Sequence, residues 1–360
     1  MSGTTHRPLV SLCVPTYNGA AHLAACLDSL TAQTFRDFEV IITDDASTDG
    51  TPDLAREFAA RDPRFVFHAN PRRLGLVGNW NHGIGLARGT WIKQVFQDDY
   101  LRPACLARML ATAESTGARF LACRREFDFA PETSAETRRF YAASAAGIDD
   151  FFARRRQCPP ETFARAILDC VGANFVGEPT VVMFHRQLLE ECGWFNEHLI
   201  MCCDSEFWYR AGCHTPVVFV PENLAVFRVH GGSTSAANFG RRRFRMDHLD
   251  LLVVIQEFIQ SPRYAVVREV ARQYYGPDYL SDLLQERAWR AVQFLAQMET
   301  ERQPAAAVCR QEWEQIGNLY PAIPLSARAP GRALLWRRWR RQYTPRKLAG
   351  RALRAAGLRR

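Results

Sequence analysis

The first 116 residues alternate short apolar runs with amphipathic segments, and no other feature constrains the fold of this chain so strongly. Leu9–Val14 is an apolar run closed by Pro15, as expected of a strand buried on both faces of a parallel sheet. Asn18-Gly19 turns the chain, and Leu23, Cys26, Leu27 and Leu30 then recur at helical spacing. Phe38–Thr43 reads as a second strand. Thr51-Pro52 reads as an N-cap with proline at the first helical position, turning Leu54 and Phe58 inward. Arg64–His68 and Trp91–Phe96 read as the third and fourth strands, with helices over Leu76–Ala87 and after Pro103. Such spacing predicts parallel strands joined by right-handed crossovers, with ligands gathered beyond the carboxyl ends of the strands.

The residues able to do chemistry fall at those ends. Pro15-Thr16-Tyr17-Asn18 follows the first strand, Asp44-Asp45-Ala46-Ser47 the second, and Gln97-Asp98-Asp99 the fourth. Taken singly, Asp44-Asp45 reads as a turn before a helix, and Asp98-Asp99 as a turn before Pro103. Taken together they bring four carboxylates to one sheet edge, where mutual repulsion calls for a cation or for hydrogen-bond donors. An oxygen-rich site beside a diphosphate suits a divalent metal, manganese or magnesium.

Further along, Phe120–Cys123 reads as a strand and residues 124–160 as polar loops. Thr180–Phe184, Val217–Val220 and Leu224–Val229 read as strands, Ser205–Ala211 as a helix, and residues 241–317 as amphipathic helices. The net charge of +8 is not spread evenly. Eleven Arg or Lys and no acid lie in residues 331–360, so the remainder of the chain is acidic by 3 and offers no second basic face for nucleic acid. No apolar run follows a charged start, and no stretch of about 18 apolar residues appears. The 11 cysteines are scattered without CxxC spacing. The expected setting is the reducing cytoplasm.

The stretch VSLCVPTYNGAAHLAACLDSLTAQTFRDFEVIITDDASTDGT resembles the opening of the family-2 glycosyltransferases, which adopt the GT-A fold, a Rossmann-like mixed α/β sheet with helices on both faces. The resemblance continues through LGLVGNWNHGIGLARGTWIKQVFQDDYLRP and GEPTVVMFHRQLLEECGWFNEHLIMCCDSEFWYRAG, and ends near FRVHGGSTS. It implies a GT-A domain over residues 1–236, with a nucleotide-sugar half at about 8–115 and an acceptor half at 116–236. A helical extension over 237–330 and a basic amphipathic tail over 331–360 would follow.

The resemblance also implies roles. Pro15, Tyr17 and Asn18 would surround the nucleotide base, with Asp45 accepting a hydrogen bond from its edge beside Asp44. Uridine or thymidine is expected, because an aspartate can accept the ring N–H of either. Asn79 and Asn81 would line the donor pocket, their alternative being helix capping. Asp98 would contact the ribose or the metal, Asp99 would be the main metal ligand, and His230 would complete the metal or diphosphate site under a loop running to Ser235. Asp204 would be the base of an inverting displacement on an acceptor hydroxyl of a glycan or lipid-linked glycan, with Glu206 the rival. Two positions depart from the family pattern: Phe96 stands where the first acid of Asp-x-Asp-Asp is usual, and Cys203 where an acid usually precedes the base. A nucleotidyltransferase and a degenerate nucleotide-sugar-binding protein remain alternatives. Trp336 and Trp339 among the arginines suit an anionic membrane surface, which would make the enzyme peripheral on the inner face of the membrane.

Overall fold

The structure is a computed structural model, and residues 6–153, 156–232 and 244–324 are described. The expected alternation is present. Strands β1 (Val10–Thr16), β2 (Phe38–Asp44), β3 (Phe65–Ala69) and β4 (Trp91–Gln94) run in parallel in the order β3-β2-β1-β4. Helices α1 (Ala20–Thr31), α2 (Thr51–Arg61) and α3 (Leu76–Leu86) connect them. The face of α1 that is buried is Leu23, Cys26, Leu27 and Leu30, as the periodicity predicts. Helix α2 begins at Thr51, and its N-cap is Gly50. The Thr51 hydroxyl instead joins Asp49 and accepts from the Gly19 N–H, tying the starts of two helices together.

Beyond β4 the sheet becomes mixed. It continues through β8 (Val182–His185), β6 (Phe120–Phe129), β9 (Val217–Val229) and β5 (Tyr100–Leu101), while β7 (Gln157–Cys158) pairs with β9. Strand β8 is antiparallel to both β4 and β6, whereas β6 and β9 are parallel. Helices α4 (Cys105–Thr116), α5 (Ala135–Ala153), α6 (Pro160–Asp169), α7 (Gln187–Cys192) and α8 (Cys203–His214) complete this unit. The described part of the polar stretch 124–160 is therefore mostly strand and helix, not loops. Strand β6 runs on to Phe129 because its charges find partners: Arg124 meets Asp149, Arg125 meets Glu178, and Glu126 meets Arg102. The two strands expected at 217–229 are one, because Pro221 and Glu222 fall where the register with β6 slips and no ladder N–H is needed.

The contacts divide the chain into one unit ending at Met246 and another beginning at Asp247. The described part of the second unit holds four α-helices, Asp250–Gln260, Ala265–Tyr275, Tyr279–Thr300 and Ala306–Leu319, in line with the helical extension expected there. All 11 cysteines are free thiols and all but Cys170 are buried. No described helix is long and apolar enough to cross a membrane. The basic tail 331–360 and the loop residues Ser233 to Ser235 lie outside the described residues.

Candidate active site

Strand register decides what meets at the sheet edge. Thr16 pairs with Asp44, and β4 ends opposite Cys13, so the segments leaving β1, β2 and β4 emerge together. Gln97 bridges two of them: its amide accepts from Tyr17 N at 2.9 Å and donates to Tyr17 O at 3.1 Å. It lies so close over Gly19 that a Cβ there would come within 2.1 Å of its Oε1 and displace the bridging amide. Asn18, at φ 46°, pins the β1 and β2 loops through Ser47 Oγ and Thr48 N.

The two aspartates after β2 do different work. Asp44 is buried and closes its own turn, accepting from Ser47 N, Ser47 Oγ and Thr16 Oγ1. Asp45 reaches across to residues 70–75, accepting from Leu74 N at 2.6 Å, Gly75 N at 2.9 Å and Asn70 Nδ2 at 3.2 Å. Arg73 stands 3.9 Å from Asp45 Oδ2 and 3.9 Å from the centroid of the exposed Tyr17 ring. Arg73 thus brings Tyr17 and Asp45 together, and Tyr17 follows the half-buried Pro15 and the buried Thr16 in sequence.

Asn79 joins the Asp45 network through Asn70, whereas Asn81 faces residues 195–197. Asn79 is buried, donating to Thr43 O and accepting from Asn70, and Asn81 donates to Phe195 O and Glu197. Their amides hold α3 to its neighbours. Neither amide caps the helix, whose N-cap is Gly75.

The second cluster surrounds Asp98 and Asp99. Asp99 is 1% exposed; its Oδ2 accepts from Thr180 Oγ1 at 2.5 Å and its Oδ1 from Arg228 N at 3.0 Å. Burial, and then the charge of Asp98, push its carboxyl well above the ordinary range. Asp98 is less buried and meets His230 Nε2 at 3.1 Å. His22 of α1 packs on His230 with ring centroids 4.4 Å apart, and meets Arg228 Nη1 at 3.0 Å. Among the described residues no three His, Cys, Asp or Glu side chains form a ready metal cage. The donors present still suit a divalent cation that takes one or two carboxylates and completes its shell from phosphate. Carboxylate oxygens keep lone pairs beyond one hydrogen bond each, and a cation would offset the repulsion that raises Asp99.

The third cluster is carried by α8. Asp204 Oδ2 accepts from Asn174 Nδ2 at 2.9 Å, and Oδ1 from Ser205 N at 2.6 Å. Desolvation raises its pKa to about 7, against the pull of the Ser205 bond and with help from the charge of Glu178. The charge of Glu178 also raises Asp99, after burial and Asp98. Glu206 is 1% exposed and held by Arg210 through two bonds of 2.7 Å. Trp208 is buried on α8 itself and donates to Gly177 O, so it offers no face for stacking an acceptor. Sequence reasoning missed Arg73, Asn174, Thr180 and Arg228, because each acts through a contact between segments far apart in the chain.

Residues 11–191 match the family profile described as Glycosyl transferase family 2. A Mycobacterium tuberculosis protein described as uncharacterized is 30% identical over 281 residues, covering 78% of this chain and 85% of its own length. A Bacillus subtilis protein described as putative glycosyltransferase EpsH is 43% identical over 107 residues, 29% of this chain and 30% of the relative, so the chain spans under a third of it. Among solved structures, a mannosyltransferase from Pyrobaculum calidifontis, in complex with GDP-Man and Mn2+, superposes with TM-score 0.52 at 20% identity, covering 94% of this chain and 88% of that one. That likeness is one of fold.

Proposed function

We propose that this chain, which belongs to glycosyl transferase family 2, moves a sugar from a nucleotide diphosphate-sugar to an acceptor hydroxyl with inversion, in polysaccharide or glycolipid synthesis. The observation that carries the reading is a chain of contacts: Asp45 to Arg73 to Tyr17, Tyr17 to Gln97 beside Asp98 and Asp99, Asp99 to Thr180, and from the same 174–180 segment Asn174 to Asp204. Tyr17 and Pro15 supply a flat apolar wall for the base. Asp45 holds the 70–75 segment, and with it Arg73, over that wall, and the base edge would meet this pair. Uridine and thymidine both suit an aspartate acceptor, whereas the Pyrobaculum neighbour holds a guanosine donor.

Asp98, Asp99 and His230 are the side chains that would hold a divalent cation, as the Mn2+ in that neighbour suggests. When bound, the cation would offset charge on the diphosphate leaving group. Asp204 accepts the proton of the acceptor hydroxyl as its oxygen bonds to the anomeric carbon and the nucleoside diphosphate departs. A carboxyl raised to about 7 is a stronger base than an ordinary aspartate and is still half ionised at neutral pH. The acidic body and basic tail fit a protein docked on an anionic membrane by residues 331–360, at the cytoplasmic face.

The test is thermal stabilisation by a panel of nucleotide-sugars, with and without Mn2+. A pyrimidine diphosphate-sugar at 100 times its Kd is expected to add about 2.7 kcal/mol of stability, more with Mn2+ than without. No response to any donor would overturn the reading, and binding without turnover would make the chain a degenerate binding protein.

A further inference from the structure

We propose that Asn174, in the loop before the 3-10 turn Pro179–Val181, is a positioning residue that fixes the Asp204 carboxylate in the orientation in which it receives the acceptor proton. The inference rests on Asp204 being the base. Asn174 cannot turn freely. Its Oδ1 accepts from Gly177 N at 2.8 Å and Val176 N at 3.2 Å, which forces its Nδ2 outward, to Gly177 O at 3.0 Å and Asp204 Oδ2 at 2.9 Å. The loop is itself tied to α8, the helix that carries Asp204. Trp208 Nε1 donates to Gly177 O at 3.0 Å, and Tyr209 Oη donates to Ala173 O at 2.7 Å. Gly177 has φ 118°, and a Cβ there would lie 2.6 Å from Val181 Cγ2, so the turn is set by its backbone as well.

The charged and titratable groups facing Asp204 are few. Glu178 comes from the same loop and is paired with Arg125 of β6 at 2.8 Å. Tyr209 and Cys202 come from α8 and its N-cap, and the Tyr209 hydroxyl is pushed well up by burial, then by Cys202 and Asp204. Against burial and Glu178, the backbone N–H groups of Ser205 and of Asp204 itself, and then the Asn174 amide, favour the ionised carboxylate. An amide donor does this at every pH because it does not titrate.

Two variants of the full-length protein separate the donor from the turn. Asn174→Asp keeps an acceptor for Val176 N and Gly177 N but sets a second carboxylate against Asp204. Asn174→Ser retains a short acceptor for the turn and is too short to reach Asp204. The acid limb of kcat/KM should move up by about one pH unit in Asn174→Ser, equivalent to about 1.4 kcal/mol, and further in Asn174→Asp. Turnover of the serine variant should recover towards wild type at high pH, which a merely misfolded loop would not do. The 13C titration of the Asp204 carboxyl, assigned by its loss in Asp204→Asn, should move in the same direction. A folded variant whose carboxyl titrates as in wild type overturns the proposal. Turnover surviving in Asp204→Asn would instead overturn the base assignment, and the carbon titration would still report on Asn174.

Discussion

Glu206 and Asp204 sit two residues apart on one helix, and the structure predicts opposite consequences for neutralising them. Glu206 is 1% exposed and grips Arg210 with both oxygens, at 2.7 Å each. The remaining guanidinium donors serve Cys192 O and Trp194 O, so Arg210 cannot leave when its carboxylate is removed. Glu206→Gln therefore strands a buried cation, a change that costs about 3–5 kcal/mol. In a unit of this size each kcal/mol is worth about 2–4 °C, giving a fall of about 6–20 °C in Tm. Asp204→Asn removes a charge that burial already disfavours, so its Tm at pH 8 should equal or exceed wild type. Its turnover should fall by about 10²–10⁴-fold, the typical worth of a general base. Thermal unfolding and initial rates per folded molecule, on both variants, check the pair. A stable but inactive Glu206→Gln beside an active Asp204→Asn would refute the reasoning and make Glu206 the base.

The same carboxyl predicts a pH dependence of stability. Its folded pKa of about 7 lies above its ordinary value of 3.8, so between those values the folded state holds a proton that the unfolded state has lost. Stability attributable to this group is full below about pH 4 and falls by about 1.4 kcal/mol per unit as pH rises towards 7. The difference in unfolding free energy between wild type and Asp204→Asn, measured across that range, should follow this slope; a flat difference would contradict it. For the tail, deleting residues 331–360 should abolish co-sedimentation with anionic vesicles while leaving donor binding unchanged, and undiminished co-sedimentation would end the membrane reading.

The parallel half of the sheet was legible because its central strands β1 and β2 are buried on both faces, while α1 shows its buried stripe in Leu23, Cys26, Leu27 and Leu30. The mixed half was less legible. Charged residues such as Arg124, Arg125 and Glu126 look like loop, and become strand only because Asp149, Glu178 and Arg102 arrive from elsewhere to pair with them. Pro221 looks like a break and is absorbed at a register slip. At the site, the acids declared themselves by their place after strands, but what each acid does was hidden. Asp44 closes a turn and Asp45 anchors a distant segment, and nothing local distinguishes the two. The amides of Asn79 and Asn174 illustrate the same limit: one ties a helix to the sheet and the other meets Asp204, and only the partners, 36 and 30 residues away, tell them apart.

The most direct measurement is a crystal structure of the full chain soaked with Mn2+ and a nucleoside diphosphate, with the metal located by its anomalous signal. The account predicts the metal peak between the diphosphate and the Asp98, Asp99 and His230 side chains, the base against Tyr17, and Asp204 facing the same cleft. A nucleotide bound away from Tyr17 and Asp45, or a metal peak remote from Asp98 and Asp99, would contradict it.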